Sequence, residues 1–165
     1  MKIKDYNLCV DQYADSVYRF ILKNLKMEDR AHDVVQDAFL KLWEKRKEVQ
    51  AEKAKSYLFT TAYHCMIDII RREKKISYQE DLQINTHHED IPPHDLQAKL
   101  HEVLDLLPDI QKTLILLRDY EGYSYEEMGE ICDLNASQVK VYIYRARLSL
   151  KKYIGKVEVL VWVSI

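Results

Sequence analysis

The sequence predicts an all-α protein built as two small helical modules on an acidic linker, and three observations lead there. Glycine and proline are scarce, three of each in 165 residues, while 47% of the residues are hydrophobic and 32% charged, a balance that favours helices over turn-rich sheet. Apolar residues recur three and four apart in both halves of the chain. Between the halves that period is lost.

The first helical pattern carries Val17, Phe20, Ile21 and Leu25, a spacing that brings all four to one face. The second carries Ala31, Val34, Val35, Ala38, Phe39, Leu42 and Trp43, and Asp29 ahead of it offers an oxygen to cap the free amides of the first turn. The third carries Leu58, Ala62, Cys65, Met66, Ile69 and Ile70, then runs out into Arg71, Arg72, Glu73, Lys74 and Lys75. Three amphipathic helices can bury one shared core, which sets a first module at residues 1–75.

Residues 76–96 read as linker, with Asn85, His87-His88 and Pro92-Pro93 among mostly polar neighbours. Glu80, Asp81, Glu89, Asp90 and Asp95 make the stretch acidic, and it holds no Lys or Arg. His87, His88 and His94 lack the ordered neighbours a metal site needs; no metal or cofactor is expected.

A second module follows at residues 97–165. Leu100, Val103, Leu104 and Leu107 lead to Pro108, after which Ile110, Leu114 and Leu117 resume the helical period before a turn at Glu121-Gly122. Ser124-Tyr-Glu-Glu127 has the form of a capping box, in which the serine oxygen and the glutamate satisfy each other's terminal amides, and Asn135-Ala-Ser-Gln138 repeats it. Two capped helices this close imply a sharp crossing of the helix-turn-helix kind. Met128, Ile131, Val139 and Ile143 would line the inside of the corner, with Gly129 where the backbones approach. The second helix then offers Ala136, Ser137, Gln138, Lys140, Val141 and Tyr142, followed by Tyr144, Arg145 and Arg147. Short polar groups near the start and cations beyond suit base edges and phosphates in a major groove. An ordinary helical hairpin with a solvated basic face is the plainer alternative.

The formal net charge of −2 hides segregation: residues 137–156 hold six Lys or Arg and no acid, the footprint expected of a nucleic-acid surface. Three widely spaced cysteines without a C-x-x-C suggest neither a disulfide framework nor a zinc ribbon, and a reducing cytoplasm is the expected compartment. No apolar run approaches the roughly 20 residues that span a bilayer. An enzyme is not expected: there is no Gly-rich phosphate loop, H-E-x-x-H or nucleophile elbow.

Five segments resemble extracytoplasmic-function sigma factors. Leu107-Pro-Asp-Ile-Gln-Lys-Thr-Leu114, Tyr125-Glu-Glu-Met-Gly-Glu-Ile131 and Ser137-Gln-Val-Lys-Val-Tyr-Ile-Tyr-Arg-Ala-Arg147 are similar to region four of that family. Asp33-Val-Val-Gln-Asp-Ala-Phe-Leu-Lys-Leu-Trp43 resembles region two, and Ser56-Tyr-Leu-Phe59 with Ala62, Asp68 and Arg71-Arg72 resembles its helix for the minus-ten element. The resemblance implies a factor that binds core RNA polymerase and promoter DNA and is held by an anti-sigma partner. It implies minus-thirty-five contacts from Ser124, Asn135, Ala136, Ser137, Gln138, Lys140, Val141, Tyr142, Tyr144, Arg145 and Arg147. It implies minus-ten contacts from Lys53, Lys55, Ser56, Tyr57, Arg71, Arg72, Lys74 and Lys75, with Phe59 divided between that role and the core. The polymerase face would be Asp33, Gln36, Asp37, Lys41 and Glu44. Departures are His64 where Asn is usual, Asp133 where Gly is usual, and Gln138, Val141 and Tyr142 in place of Thr, Ser and Arg, which implies a different base preference. The β-branched tail, residues 157–165, lies outside the resemblance.

A repressor with one helix-turn-helix would leave the first module unexplained. A protein-binding adaptor would leave the basic run after Ser137 unexplained.

Overall fold

The computed structural model describes residues 1–77 and 102–154, which form helices joined by turns, with no strand among the described residues. The acidic linker beyond Ser77, His87, His88 and His94 with it, and the tail 157–165 lie outside the described residues.

The first module is three helices: α1 (Ile3–Leu25), α2 (Glu28–Glu44) and α3 (Ala54–Ser77), each packed on the other two. Helix α1 begins well before Val17, and its start is fixed by the Lys2 amide donating to Asp5 Oδ2 at 2.8 Å. It stops at Lys26, whose left-handed backbone (φ 59°) turns the chain while its N–H bonds back to Leu22 O at 2.7 Å. Asp29 does not cap α2, as the sequence suggested. The helix starts two residues earlier than such a cap would set it, Met27 occupies the cap position without a side-chain bond, and Asp29 sits in the first turn, where its charge favours the helix dipole instead. The predicted stripes are inside: Val17, Phe20, Ile21, Ala31, Val34, Ala38, Leu42, Leu58, Ala62 and Met66 are almost fully buried, each large one contributing about 1.5–3 kcal/mol.

In the second module residues 102–105 are helical, and Pro108 then precedes α4 (Asp109–Ile115), where its missing N–H leaves no amide unsatisfied. Residues Leu116–Tyr120 widen into a π turn. Gly122, at φ 73°, makes the reversal that the sequence placed at Glu121-Gly122, and Arg118 Nη1 holds it by donating to Tyr123 O at 2.8 Å. Helices α5 (Tyr125–Cys132) and α6 (Ala136–Ile154) complete the module.

The two modules touch. Helix α5 packs on α3, and the buried apolar residues of both modules form one continuous cluster.

Candidate nucleic-acid and polymerase interfaces

The turn between α5 and α6 is built from local chemistry. The Ser124 amide donates to Glu127 Oε2 at 2.8 Å and the Glu127 amide to Ser124 Oγ at 3.2 Å; Asn135 and Gln138 repeat the exchange at 3.0 and 2.9 Å. Hydrogen bonds from the Ser124 backbone and hydroxyl hold the Glu127 carboxyl below its ordinary range. Asp133 takes the left-handed conformation that closes α5, at φ 57° and ψ 48°, and the Leu134 amide bonds to Gly129 O at 2.8 Å. A side chain at Gly129 would place its Cβ 2.5 Å from Leu134 O, so the corner admits glycine alone without a shift. Met128, Ile131, Val139 and Ile143 fill the inside of the corner.

This geometry turns the start of α6 outward. Asn135, Ser137, Gln138, Lys140, Val141, Tyr144 and Arg145 are exposed, with Ala136 and Tyr142 half-buried beside them. Gln138 spends its carbonyl on the cap, which leaves its amide hydrogens to donate outward. Ser124 is half-buried and its hydroxyl is engaged in the capping box. Arg147 is also committed in part, its guanidinium 3.4 Å from Asp119 and bracing α6 against the π turn. Burial pushes the Asp119 carboxyl above its ordinary range, against the pull of Arg147 and Arg118. Among the described residues, α6 carries basic side chains and no acid.

The minus-ten candidates separate into two groups. Lys53 is exposed in the turn before α3, and Lys55, Ser56 and Tyr57 are half-buried in its first turn. Arg71 and Arg72 are exposed, and Arg71 lies about 24 Å farther along the helix and about 160° around it from Lys55. Lys74 and Lys75 continue the backbone of α3; their side chains lie outside the described residues. Phe59 is core, fully buried between Phe20 and Tyr123. Tyr57 remains partly accessible.

Asp33, Gln36, Asp37, Lys41 and Glu44 share the exposed face of α2. Sequence reasoning missed Leu40, which lies one turn from both Gln36 and Glu44 and is 55% exposed. Its signal was present: it interrupts the charged face with a large apolar side chain that no stripe claims. Lys41 also reaches α3, its Nζ 3.3 Å from Cys65 Sγ, and that bond raises its pKa.

Among the described residues no group of His, Cys, Asp and Glu is placed to hold a metal ion, and no helix is long and apolar enough to cross a membrane.

Comparison with known proteins supplies the frame for these surfaces. Residues 9–76 match the family model for Sigma-70 region 2 and residues 97–150 the model for Sigma-70, region 4. The chain is 33% identical over 139 residues to RNA polymerase sigma factor SigV of Bacillus subtilis, covering 84% of each protein. It is 28% identical to ECF RNA polymerase sigma factor SigM of the same organism, over 84% of this chain and 88% of that one. Among solved structures it resembles the sigma factor RpoE of Bartonella quintana, crystallised with the anti-sigma factor NepR, at a TM-score of 0.77 and 25% identity, over 94% of this chain and 99% of that chain.

Proposed function

The chain belongs to the RNA polymerase sigma factors, in their extracytoplasmic-function branch, and on that premise we propose how its surfaces divide the work: it binds core RNA polymerase through α2 and directs initiation at promoters read by α3 and α6. The observation that carries this is the pairing of two modules in order, each with an exposed face suited to its target. One alone would fit many DNA-binding proteins.

The exposed start of α6 enters the major groove of the minus-thirty-five element. Gln138 and Ser137 meet base edges, Val141 offers an apolar contact, and Lys140, Arg145 and Arg147 neutralise phosphates. Asn135 and Ser124 hold the two helix ends at the backbone, with Ala136, Tyr142 and Tyr144 completing the surface. In the first module Tyr57 provides a ring for an unstacked base of the minus-ten element, with Lys53, Lys55 and Ser56 around it. Arg71, Arg72, Lys74 and Lys75 hold the duplex farther along α3. The modules divide at the linker, residues 76–96.

Asp33, Gln36, Asp37, Lys41 and Glu44 surround Leu40 on the polymerase face, an apolar centre with a charged rim. The protein acts in the cytoplasm by binding, with no catalytic step of its own. An anti-sigma protein holds it in reserve, as NepR is bound to its structural relative.

Footprinting of the reconstituted holoenzyme tests this reading. Two protected elements should appear, the upstream one lost with Arg145→Ala plus Gln138→Ala and the downstream one weakened by Tyr57→Ala. Protection indifferent to all three substitutions would reject the assignment.

A further inference from the structure

We infer that Gln138 and Val141 select two particular bases of the minus-thirty-five element, a guanine and a thymine, within about two base pairs of each other. The inference rests on the proposed function and deepens it.

Val141 stands at the centre of the reading face. Val139, Ile143 and Ala146 anchor α6 in the core, each at 2% exposure or less, and they lie about 140–160° around the helix from Val141. Ser137 and Gln138 precede it by one turn and Tyr144 and Arg145 follow by one turn, all within about 60° of it. A polar face thus carries an isopropyl group at its middle, 45% exposed. The thymine C5-methyl is the one apolar group that the four bases present in the major groove. Any other base opposite Val141 would lose water from a polar edge and gain no hydrogen bond for it.

Gln138 is restricted by its cap. Its Oε1 accepts from the Asn135 backbone N–H at 3.0 Å, while its own backbone N–H donates to Asn135 Oδ1 at 2.9 Å. A backbone N–H can only donate, so the oxygen of the carboxamide is the end held at the cap. Glutamine ordinarily reads adenine with both ends of the amide, donating to N7 and accepting from N6. Turning both ends to adenine here would break the cap. What remains free is an NH2 group with two hydrogens, and guanine is the base whose major-groove edge offers two acceptors, N7 and O6.

Spacing ties the two readings together. Residues three apart on a helix have Cβ atoms about 5–6 Å apart, and successive bases of a strand are about 3.4 Å apart. The two contacts therefore fall on neighbouring or next-neighbouring base pairs.

The test uses holoenzyme reconstituted with the full-length protein, bound to a promoter fragment whose upstream element has been footprinted. Each thymine of that element is replaced in turn by uracil, which removes only the methyl, and each guanine by 7-deazaguanine, which removes the N7 acceptor. One uracil should weaken binding about fourfold, the equivalent of about 0.8 kcal/mol for one methyl group. Val141→Ala should bind thymine and uracil alike at that position. One 7-deazaguanine close by should weaken binding about fivefold or more, the equivalent of about 1 kcal/mol, the low end for a base contact of this kind. Gln138→Glu keeps an oxygen for the cap but replaces the outward donors with an acceptor. Its preference there should switch from guanine to cytosine, whose N4 amino group donates, a gain that damage to the fold would not produce. Wild type indifferent to every uracil or to every 7-deazaguanine overturns the inference. So does a Val141→Ala protein that still distinguishes thymine from uracil, or a Gln138→Glu protein that still prefers guanine; the footprint, and the functional reading with it, then stand. A holoenzyme that protects no upstream element brings down the functional reading, and this inference with it.

Discussion

Gly129 and Leu134 are in backbone contact: the Leu134 N–H bonds to Gly129 O at 2.8 Å, and the Leu134 carbonyl oxygen stands 2.5 Å from where a Cβ on Gly129 would be. This contact sets the angle at which α6 leaves α5. Gly129→Ala would gain helix propensity, about 1 kcal/mol, but the clash is with backbone that the turn holds in place. We expect net destabilisation of about 1–3 kcal/mol in urea unfolding, with loss of minus-thirty-five binding in fluorescence anisotropy. Unchanged stability and affinity would show that the corner relaxes freely.

Asp133 gives the opposite sign. Its left-handed backbone, φ 57°, costs an L-residue about 1–2 kcal/mol, part of which glycine returns as greater freedom in the unfolded chain. Asp133→Gly should therefore stabilise by about 0.5–1 kcal/mol, read as a higher Tm with DNA affinity preserved.

The capping box predicts a pH dependence. The Glu127 carboxyl is held below its ordinary range by the Ser124 hydrogen bonds, so the folded state binds its proton less readily than the unfolded chain does. Its contribution is present above the usual glutamate range and lost as pH falls through the depressed value. Glu127→Gln should lower Tm at pH 7 and have little effect near pH 3. Ser124→Ala should cost about 0.5–2 kcal/mol at neutral pH.

On α2, Asp37→Lys and Leu40→Arg should each abolish holoenzyme assembly in a core-polymerase pull-down while circular dichroism stays that of wild type. Both residues are exposed and neither supports the core. Assembly intact in both variants would remove the polymerase face from α2.

What the sequence made legible was whatever is local. The caps at Ser124 and Asn135, the glycine at the corner and the stripes through Val17, Val34 and Leu58 all lie within a few residues of their partners. The start of α1 was obscured because exposed Ile3 and Leu8 blur the stripe. Asp29 misled because it is one residue inside the helix rather than before it. The choice between Tyr57 and Phe59 rested on burial alone, since both are aromatic and two positions apart. The contact between the modules was illegible: Thr113 Oγ1 donates to Asn24 Oδ1 from 89 residues away, and no period or cap in either module announces the other.

The most direct measurement of the central claim is run-off transcription by core RNA polymerase, with and without this protein, on a pool of promoter fragments from its own genome. The account predicts new transcripts whose start sites share two upstream elements and which disappear with Asp37→Lys. Folded protein that yields no such transcripts, or does not bind core, would contradict it.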